Sequence, residues 1–177
     1  MRRPDLTEPT GEHTLVRDAR TEELDQIALL MRDAYQEHRA SFPPRMWEGY
    51  TRDVMDVRSR LGSSELIVAE HGGPVVGAVT LYPEALRSHQ NGWPPGWTGV
   101  RLLAVHPDAR GLGIGRALMD ECLCRSRQRA AVTIGLHTSE VMSVARQMYE
   151  RMGFVRVPEF DFHPGPKMVV MAYRLDL

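Results

Sequence analysis

The chain has 177 residues, 42% of them hydrophobic, and its 22 Lys and Arg nearly balance its 23 Asp and Glu. A chain of this length buries roughly 70% of the surface that it exposes when unfolded, so neither a metal nor a disulfide is needed for folding. The net charge of −1 lacks the broad positive field that binding to nucleic-acid phosphates requires, so no nucleic-acid partner is expected.

Residues 1–12 contain two arginines but no apolar segment of the kind found in signal peptides. No apolar run in the chain approaches the ~20 residues that a membrane-spanning helix needs. These features predict a flexible tail over residues 1–12 and a single domain over residues 13–177. They also favour a cytoplasmic location without a membrane partner.

The first part of the domain is predicted to be a strand followed by two helices. Residues 13–17 form the strand, and Thr21 is expected to cap a helix whose first turn is acidic. A break at residues 41–44 separates the two helices. Apolar residues at helical spacing mark one face of each helix: Leu24, Ile27, Ala28, Met31 and Tyr35 in the first, and Trp47, Tyr50, Val54, Val57 and Leu61 in the second.

Three strands are predicted next. Residues 66–69 and 75–81 are β-rich and are separated by a glycine-proline turn, which is typical of a hairpin. A long connection over residues 82–97 leads to a third strand at 99–105. This strand is almost continuously apolar, as expected of a strand covered on both faces, and Arg101 is its one charged residue.

The remaining residues are predicted to contain two helices and three strands. A helix begins at Ile114, a buried strand covers residues 132–136, and two closing strands cover 154–157 and 168–173. The order β-αα-βββ-α-β-α-ββ predicts an α/β fold with a mixed sheet flanked by helices. The last helix is expected to start at Ser139 and to end at Gly153. Its predicted apolar face consists of Val141, Val144, Ala145, Met148, Tyr149 and Met152.

The cysteines and histidines show no metal or disulfide pattern. Cys122 and Cys124 are two positions apart in a helical pattern, which points their thiols in different directions. The seven histidines are not spaced like the ligands of zinc motifs. Neither a metal cofactor nor a disulfide is therefore expected.

Gly111, Gly113 and Gly115 lie at alternate positions between the third strand and the next helix. Without Cβ atoms they allow unusual backbone angles, so that several N–H groups can point toward one anion at a helix N-terminus. Arg116 stands where a dinucleotide fingerprint needs glycine, and no Gly-Lys-Ser/Thr of a P-loop is present. A phosphate site of another kind remains, as does a glycine-rich turn without a ligand.

Residues 110–115, Arg-Gly-Leu-Gly-Ile-Gly, resemble the (Gln/Arg)-x-x-Gly-x-(Gly/Ala) signature of the GNAT N-acetyltransferase superfamily. Residues 103–107 are similar to the end of that family's central strand. Residues 145–154 resemble a second family segment, A-x-x-(L)-Y-x-x-x-G-F, and follow in the expected order. The resemblance implies a GNAT-like, mostly antiparallel sheet over roughly residues 14–177. It also implies acetyl transfer from acetyl-CoA, as cosubstrate, to a primary amine of a small molecule or peptide.

The resemblance also implies roles for individual residues. Backbone groups of Leu103, Ala104 and Val105 would pair with the pantetheine arm, and the Val105 N–H would stabilise the oxyanion. Tyr149 would give a proton to the departing thiolate. Met142 stands where many family members have an Asn that contacts the CoA arm. The CoA pyrophosphate would be held by Arg110, Gly111, Leu112, Gly113, Ile114, Gly115 and Arg116.

The general base and the acceptor stay open at this stage. Candidate bases are His137, Glu140 and Glu84, and the expected walls of the acceptor pocket are Phe42, Arg45, Trp47, Trp93 and Trp97. A non-catalytic CoA-binding sensor with the same fold is the alternative function. Another acyl donor, such as succinyl-CoA, and a homodimer also remain open.

Overall fold

The computed structural model describes residues 13–85, 93–165 and 168–177, so the predicted tail over residues 1–12 lies outside the described residues. Eight strands and five helices follow one another in these residues. Their bounds are β1 Thr14–Asp18, α1 Leu24–Tyr35, α2 Pro44–Met55, α3 Val57–Arg60, β2 Glu65–His71, β3 Val75–Tyr82, β4 Trp97–Val105, α4 Ile114–Gln128, β5 Thr133–Ser139, α5 Ser143–Arg151, β6 Val155–Arg156, β7 Phe162–Gly165 and β8 Met168–Asp176.

The strands form one sheet in the order β1-β2-β3-β4-β5-β8-β6, with β7 paired to β8. The β4–β5 pair is parallel, and every other pair among the described strands is antiparallel. The prediction of a mixed, mostly antiparallel sheet flanked by helices is thus confirmed. Three strands follow α5 instead of the predicted two, because the short β7 (Phe-His-Pro-Gly) has no alternating apolar pattern to reveal it.

Both faces of the central strands are covered by helices. Consecutive residues of β2 illustrate this, because Ile67 packs into the core on the α4 side and Val68 into the core on the α1 and α2 side. Both side chains are fully buried. Since neighbouring residues of a strand point to opposite faces, a continuous apolar run is what such a strand requires.

Two predicted helix starts differ from the structure. Thr21 begins a short 3-10 turn, α1 starts at Leu24, and the backbone N–H of Arg20 donates to the Glu23 carboxylate at 2.7 Å. Ser139 is the last residue of β5, and α5 starts only at Ser143. The expected apolar face of this last helix is therefore wrong at two residues: Val141 precedes α5 and is 40% exposed, and Val144 is 80% exposed.

The second predicted helix is interrupted at Asp56, whose backbone angles are φ −80° and ψ 64°. The Asp56 carboxylate accepts a hydrogen bond from the Ser59 N–H at 3.3 Å and so caps the short helix α3. Leu61, expected on the apolar face, lies beyond α3 and is exposed.

Arg17 of β1 links the N-terminus of α1 to the sheet. Its guanidinium donates to both Glu23 carboxylate oxygens, at 2.6 and 2.9 Å, and to Glu70 of β2. The hydrogen bonds from Arg17 lower the pKa of Glu23 from its ordinary 4.5 to about 2. The stabilising effect of Glu23 is therefore complete above pH 4.5 and is lost as the pH falls toward 2.

We expect Glu23→Gln to lower the free energy of unfolding at pH 7 and to flatten its pH dependence between about pH 4.5 and 2. Urea unfolding at a series of pH values measures both effects. Glu22→Gln, at the exposed neighbouring position, is the control and should leave the wild-type pH dependence in place. An equal pH dependence in wild type and Glu23→Gln would contradict this account of the ion pair.

Candidate active site

Strands β4 and β5 pair over only four residues and then separate. Their last pair is Val100 with Leu136, although β4 continues to Val105 and β5 to Ser139. Beyond that pair, β4 remains bonded to β3 and β5 remains bonded to β8. A gap therefore opens in the middle of the sheet, and Arg101 and His137 are the first residues on its two sides.

A β-bulge distorts β4 directly beside this gap. Ala78 of β3 opposes Ala104 and Thr80 opposes Arg101, so that β4 contains one extra residue between these pairs. Leu102 has φ +56°, a left-handed conformation that is unfavourable for a residue with a side chain. Bulges of this kind are frequent next to active sites, where they change the direction in which residues of the strand point.

Backbone groups of β4 face the gap at alternate positions. The His106 N–H donates to the Val76 carbonyl at 2.8 Å, so His106 and, two residues earlier, Ala104 turn their backbone polar groups toward β3. Leu103 and Val105 consequently turn theirs the other way, toward the space that β5 has left. The Leu103 carbonyl accepts a hydrogen bond from the Tyr35 hydroxyl at 3.0 Å.

The glycine segment forms the N-terminus of α4. Gly111 (φ +80°) and Gly113 (φ +78°) are left-handed, which confirms the expected unusual angles at these two positions. Gly115 differs, because it lies inside the first turn of α4 without a positive φ. Its missing side chain instead makes room for Val105 and Met148, since a Cβ there would be 3.6 Å from an atom of each.

The first amides of α4 are available to an anion. Intrahelical bonding begins with the Ala117 N–H, which donates to the Gly113 carbonyl at 3.0 Å. The N–H groups of residues 114–116 precede this first intrahelical donor and so have no acceptor within the helix, and the helix dipole adds positive potential at this end. Leu112 is exposed, while Ile114 anchors the turn in the core at 1% exposure.

Arg110 and Arg116, which flank the glycines, are held by neighbouring acidic residues. Arg110 donates to Glu37 at 2.8 Å and to the Ala34 carbonyl at 3.1 Å, which ties the loop to the end of α1. Arg116 forms a pair with Asp120 at 2.9 and 3.0 Å along α4. In this structure both guanidinium groups are thus engaged away from the amides of the loop.

Three tyrosines surround the gap. Tyr149 of α5 is 5% exposed and packs its ring against Phe154 at 5.8 Å between ring centres. Burial raises the pKa of Tyr149, and the nearby Tyr35 hydroxyl adds to the effect. Tyr50 contacts Tyr35 edge to face at 5.8 Å, and burial raises the pKa values of both. All three hydroxyls therefore stay protonated at neutral pH.

The candidate bases occupy different environments. Glu84 and Glu140 are exposed, whereas His137 packs between Trp93 and Phe162, with ring centres at 4.7 and 5.2 Å. His137 Nε2 lies 2.9 Å from the Phe160 carbonyl, which can only accept, so this nitrogen carries the proton. Burial lowers the pKa of His137, so its ring is neutral at pH 7 and Nδ1 retains a lone pair.

The five residues expected to line an acceptor pocket do not form one wall. Trp93 and Trp97 stack on each other at 5.2 Å and are buried in a cluster of their own. Phe42 stacks on Tyr50 at 5.2 Å, and its neighbour Trp47 is buried in the α1 and α2 core. Arg45 is exposed on α2.

Sequence reasoning noted Arg101 without assigning it a role, and it did not find Asp53. Asp53 of α2 accepts a hydrogen bond from Arg101 Nη2 at 3.0 Å, and these residues are 48 positions apart. The available signal was a charged residue within an otherwise apolar central strand, at Arg101. Met142, at the family's Asn position, packs toward the α1 and α2 core.

The described residues contain neither a metal-binding cluster nor a membrane-spanning helix. In residues 13–85, 93–165 and 168–177, no group of three or more His, Cys, Asp or Glu is placed to hold a metal ion. No helix within the same ranges is long and apolar enough to cross a membrane.

The gap, the bulge and the glycine turn occur in a chain whose residues 62–156 match the family model of the acetyltransferase (GNAT) domain. The match covers more than half of the chain, which therefore belongs to the GNAT acetyltransferase family. This confirms the resemblance found in the sequence.

Curated relatives include mycothiol acetyltransferases. The protein from Cellulomonas flavigena is 35% identical over 101 residues, which cover 56% of this chain and 29% of the relative. The protein from Propionibacterium freudenreichii is 27% identical over 135 residues, covering 76% and 41%. The chain thus spans less than half the length of these two relatives.

Solved structures have the same fold. A PaiA N-acetyltransferase from Thermoplasma acidophilum, in complex with coenzyme A, matches with a TM-score of 0.70 at 15% identity, over 92% of this chain and 99% of that one. A GNAT family acetyltransferase from Brucella melitensis, in complex with acetyl-CoA, matches with a TM-score of 0.60 at 22% identity, over 94% and 92%.

Proposed function

We propose that this chain is an acetyl-CoA-dependent N-acetyltransferase that moves an acetyl group to a primary amine of a small molecule or peptide. The observation that carries the proposal is the opening between β4 and β5 beside a glycine-rich helix N-terminus. Coenzyme A in two similar structures and acetyl transfer in the names of the relatives support it. The proposal takes the reaction class from the relatives, not their substrate.

The coenzyme is assigned to the α4 side of the sheet. Its pyrophosphate binds the N–H groups of residues 111–116, where left-handed glycines and the helix dipole favour an anion. The pantetheine arm bonds to backbone groups of Leu103 and Val105 that face the gap. The backbone groups of Ala104 point toward β3, so the hydrogen bonds to the pantetheine arm that were predicted for Ala104 are assigned to Leu103 and Val105 alone. Arg110 holds the loop to the end of α1 through Glu37, and the Arg116–Asp120 pair stabilises the first turns of α4.

The acceptor amine then reaches the thioester through the opposite side of the gap. Deprotonation of an alkylammonium with a pKa near 10.4 costs about 4.6 kcal/mol at pH 7. A group near the gap therefore has to accept its proton. Among the three predicted bases, His137 adjoins the gap and is neutral, which suits this role. The Val105 N–H stabilises the oxyanion, and the Tyr149 hydroxyl protonates the departing thiolate.

Calorimetric titration with acetyl-CoA, followed by thiol-release assays over a panel of amines, tests the proposed function. Heat on titration and amine-dependent release of CoA are expected. Binding without release over the whole panel would favour the non-catalytic sensor. Absence of heat with acetyl-CoA and with CoA would overturn both functions.

Gly113→Ala is expected to weaken acetyl-CoA binding about tenfold. Its φ of +78° is left-handed, which costs a residue with a Cβ about 1–2 kcal/mol, and relief of this strain turns the loop amides away from the pyrophosphate. Calorimetry gives the dissociation constant of the variant.

Gly73→Ala is the matched control, because Gly73 (φ +112°) is also left-handed with open space around it but lies in the β2–β3 turn. It should lower stability and leave the dissociation constant unchanged. The same dissociation constant in wild type and Gly113→Ala would contradict the assignment of the loop.

A further inference from the structure

A charged pair stands on the α2 side of the gap. Arg101 immediately follows the last β4–β5 pair, and its Nη2 donates to the Asp53 carboxylate at 3.0 Å. The Arg101 side chain is only 12% exposed, so the strand holds the guanidinium at the gap with little contact with bulk water. Asp53 is bonded to one of five N–H donors of this side chain.

Buried hydroxyls without partners lie on the same face of the sheet. Thr80 is directly opposite Arg101 across the β3–β4 ladder, and Tyr82 is opposite Gly99. Side chains of opposed residues share a face. Thr80 is 1% exposed and Tyr82 is fully buried, and the hydroxyl of each lacks a hydrogen-bond partner among the described residues. Natural proteins leave few such groups unsatisfied, so these two hydroxyls are donors that a polar ligand on this face would satisfy.

The charges around this site favour an anion. Arg60 caps the end of α2 through the carbonyls of Asp53 and Val54 and is 6% exposed, and within the part of the chain that the structure describes its Nε has no hydrogen-bond partner. Arg60 and Arg101 bring two positive charges to this face. Asp53 is bonded to Arg101, and the other nearby carboxylate, Asp56, is exposed to water and bonded to Ser59, so it offsets little of the positive charge. His137 and the three tyrosines around the gap are neutral at pH 7.

The location separates this site from the coenzyme. The glycine turn and α4 cover one face of the sheet, whereas Arg101, Thr80 and Asp53 lie toward α2 on the other face. A molecule bound on the α2 side therefore meets the thioester through the gap, with its anionic group beside Arg101.

We propose that Arg101 binds a carboxylate of the acceptor, so that the substrate class is amines that carry a carboxylate, as amino acids do. A guanidinium matches a carboxylate through two parallel hydrogen bonds, which selects it over a neutral amide of similar shape. The assignment rests on the proposed acetyl transfer, and it names the acceptor for the same site.

The test compares amino acids with their carboxamides in the thiol-release assay, using glycine, alanine, phenylalanine and lysine and the four corresponding amides. Wild type is expected to prefer the acid by about 10- to 100-fold in kcat/KM for at least one pair. Arg101→Gln should remove that preference while the acetyl-CoA dissociation constant stays within about twofold. Asp53→Asn, which removes the competing carboxylate, should lower KM for the acid.

Arg58→Gln is the matched control, because Arg58 forms a pair with Asp25 of the same 3.0 Å length on the exposed surface. It should keep the wild-type preference. Equal turnover of acids and amides by wild type, turnover of neutral amines alone, or an unchanged preference in Arg101→Gln would each overturn the inference. These results leave acetyl transfer itself intact, whereas absence of acetyl-CoA binding or of release with any amine is a failure of the proposed function.

Discussion

Replacing Tyr149 with Phe is expected to lower kcat about 100-fold and to leave the acetyl-CoA dissociation constant nearly unchanged. The Phe ring keeps the contact of Tyr149 with Phe154 and fills the same buried volume, so the substitution removes a proton donor and leaves the ring packing in place. Steady-state kinetics and calorimetry on the same preparation measure the two quantities.

Tyr173→Phe is the control for this experiment. The Tyr173 hydroxyl donates to Glu150 at 2.9 Å, so the variant loses a partly buried hydrogen bond that has no role in the proposed reaction and should retain its kcat. Burial raises the pKa of Tyr149, and a general acid works in its protonated form, so kcat should show no alkaline decline due to Tyr149 below about pH 10. An unchanged kcat in Tyr149→Phe would remove the acid role.

Gly77→Ala is expected to destabilise the fold by about 2–3 kcal/mol, which corresponds to roughly 4–12 °C in Tm. A Cβ on Gly77 would stand 2.7 Å from Ile114 Cγ2 and 3.0 Å from Leu118 Cδ1, with the Ala104 carbonyl at 3.3 Å. Ile114 is β-branched and opens α4, so the clash is expected to push the glycine turn as well and to weaken acetyl-CoA binding.

Gly49→Ala is the control, because it is also a glycine-to-alanine substitution but is expected to change stability in the opposite direction. Gly49 lies within α2 with nothing within 4 Å of a built Cβ, so the substitution should raise stability by about 0.5–1 kcal/mol. Thermal and urea unfolding of both variants give the comparison. If the Gly77→Ala variant were as stable as wild type, β3 and α4 would have to be less tightly packed around residue 77 than these distances indicate.

The sequence predicted the sheet and the glycine turn because both depend on local signals. Apolar runs identified the central strands, and two left-handed positions, Gly111 and Gly113, followed from a residue type that favours such angles. Gly115 shows the limit of this reasoning, because its role is to avoid contact with Val105 and Met148, which only tertiary structure brings close.

Features that join distant segments were not predictable from one sequence. The Tyr35 hydroxyl meets the Leu103 carbonyl across 68 positions, and no local pattern marks either partner. The bulge at Leu102 depends on the register between β3 and β4. From the sequence, Trp93 and Trp97 could either line a pocket or pack together. In the structure they stack on each other, and Trp93 packs against Gly135.

The short β4–β5 pairing divides the sheet into two halves joined by four residue pairs. A cosubstrate that fits between the halves would supply some of the hydrogen bonds that the separated strands no longer make with each other. Its binding would then also stabilise the folded state, so the melting temperature should rise with the concentration of acetyl-CoA. In a cell, the lifetime of this protein would in that case follow the acetyl-CoA supply.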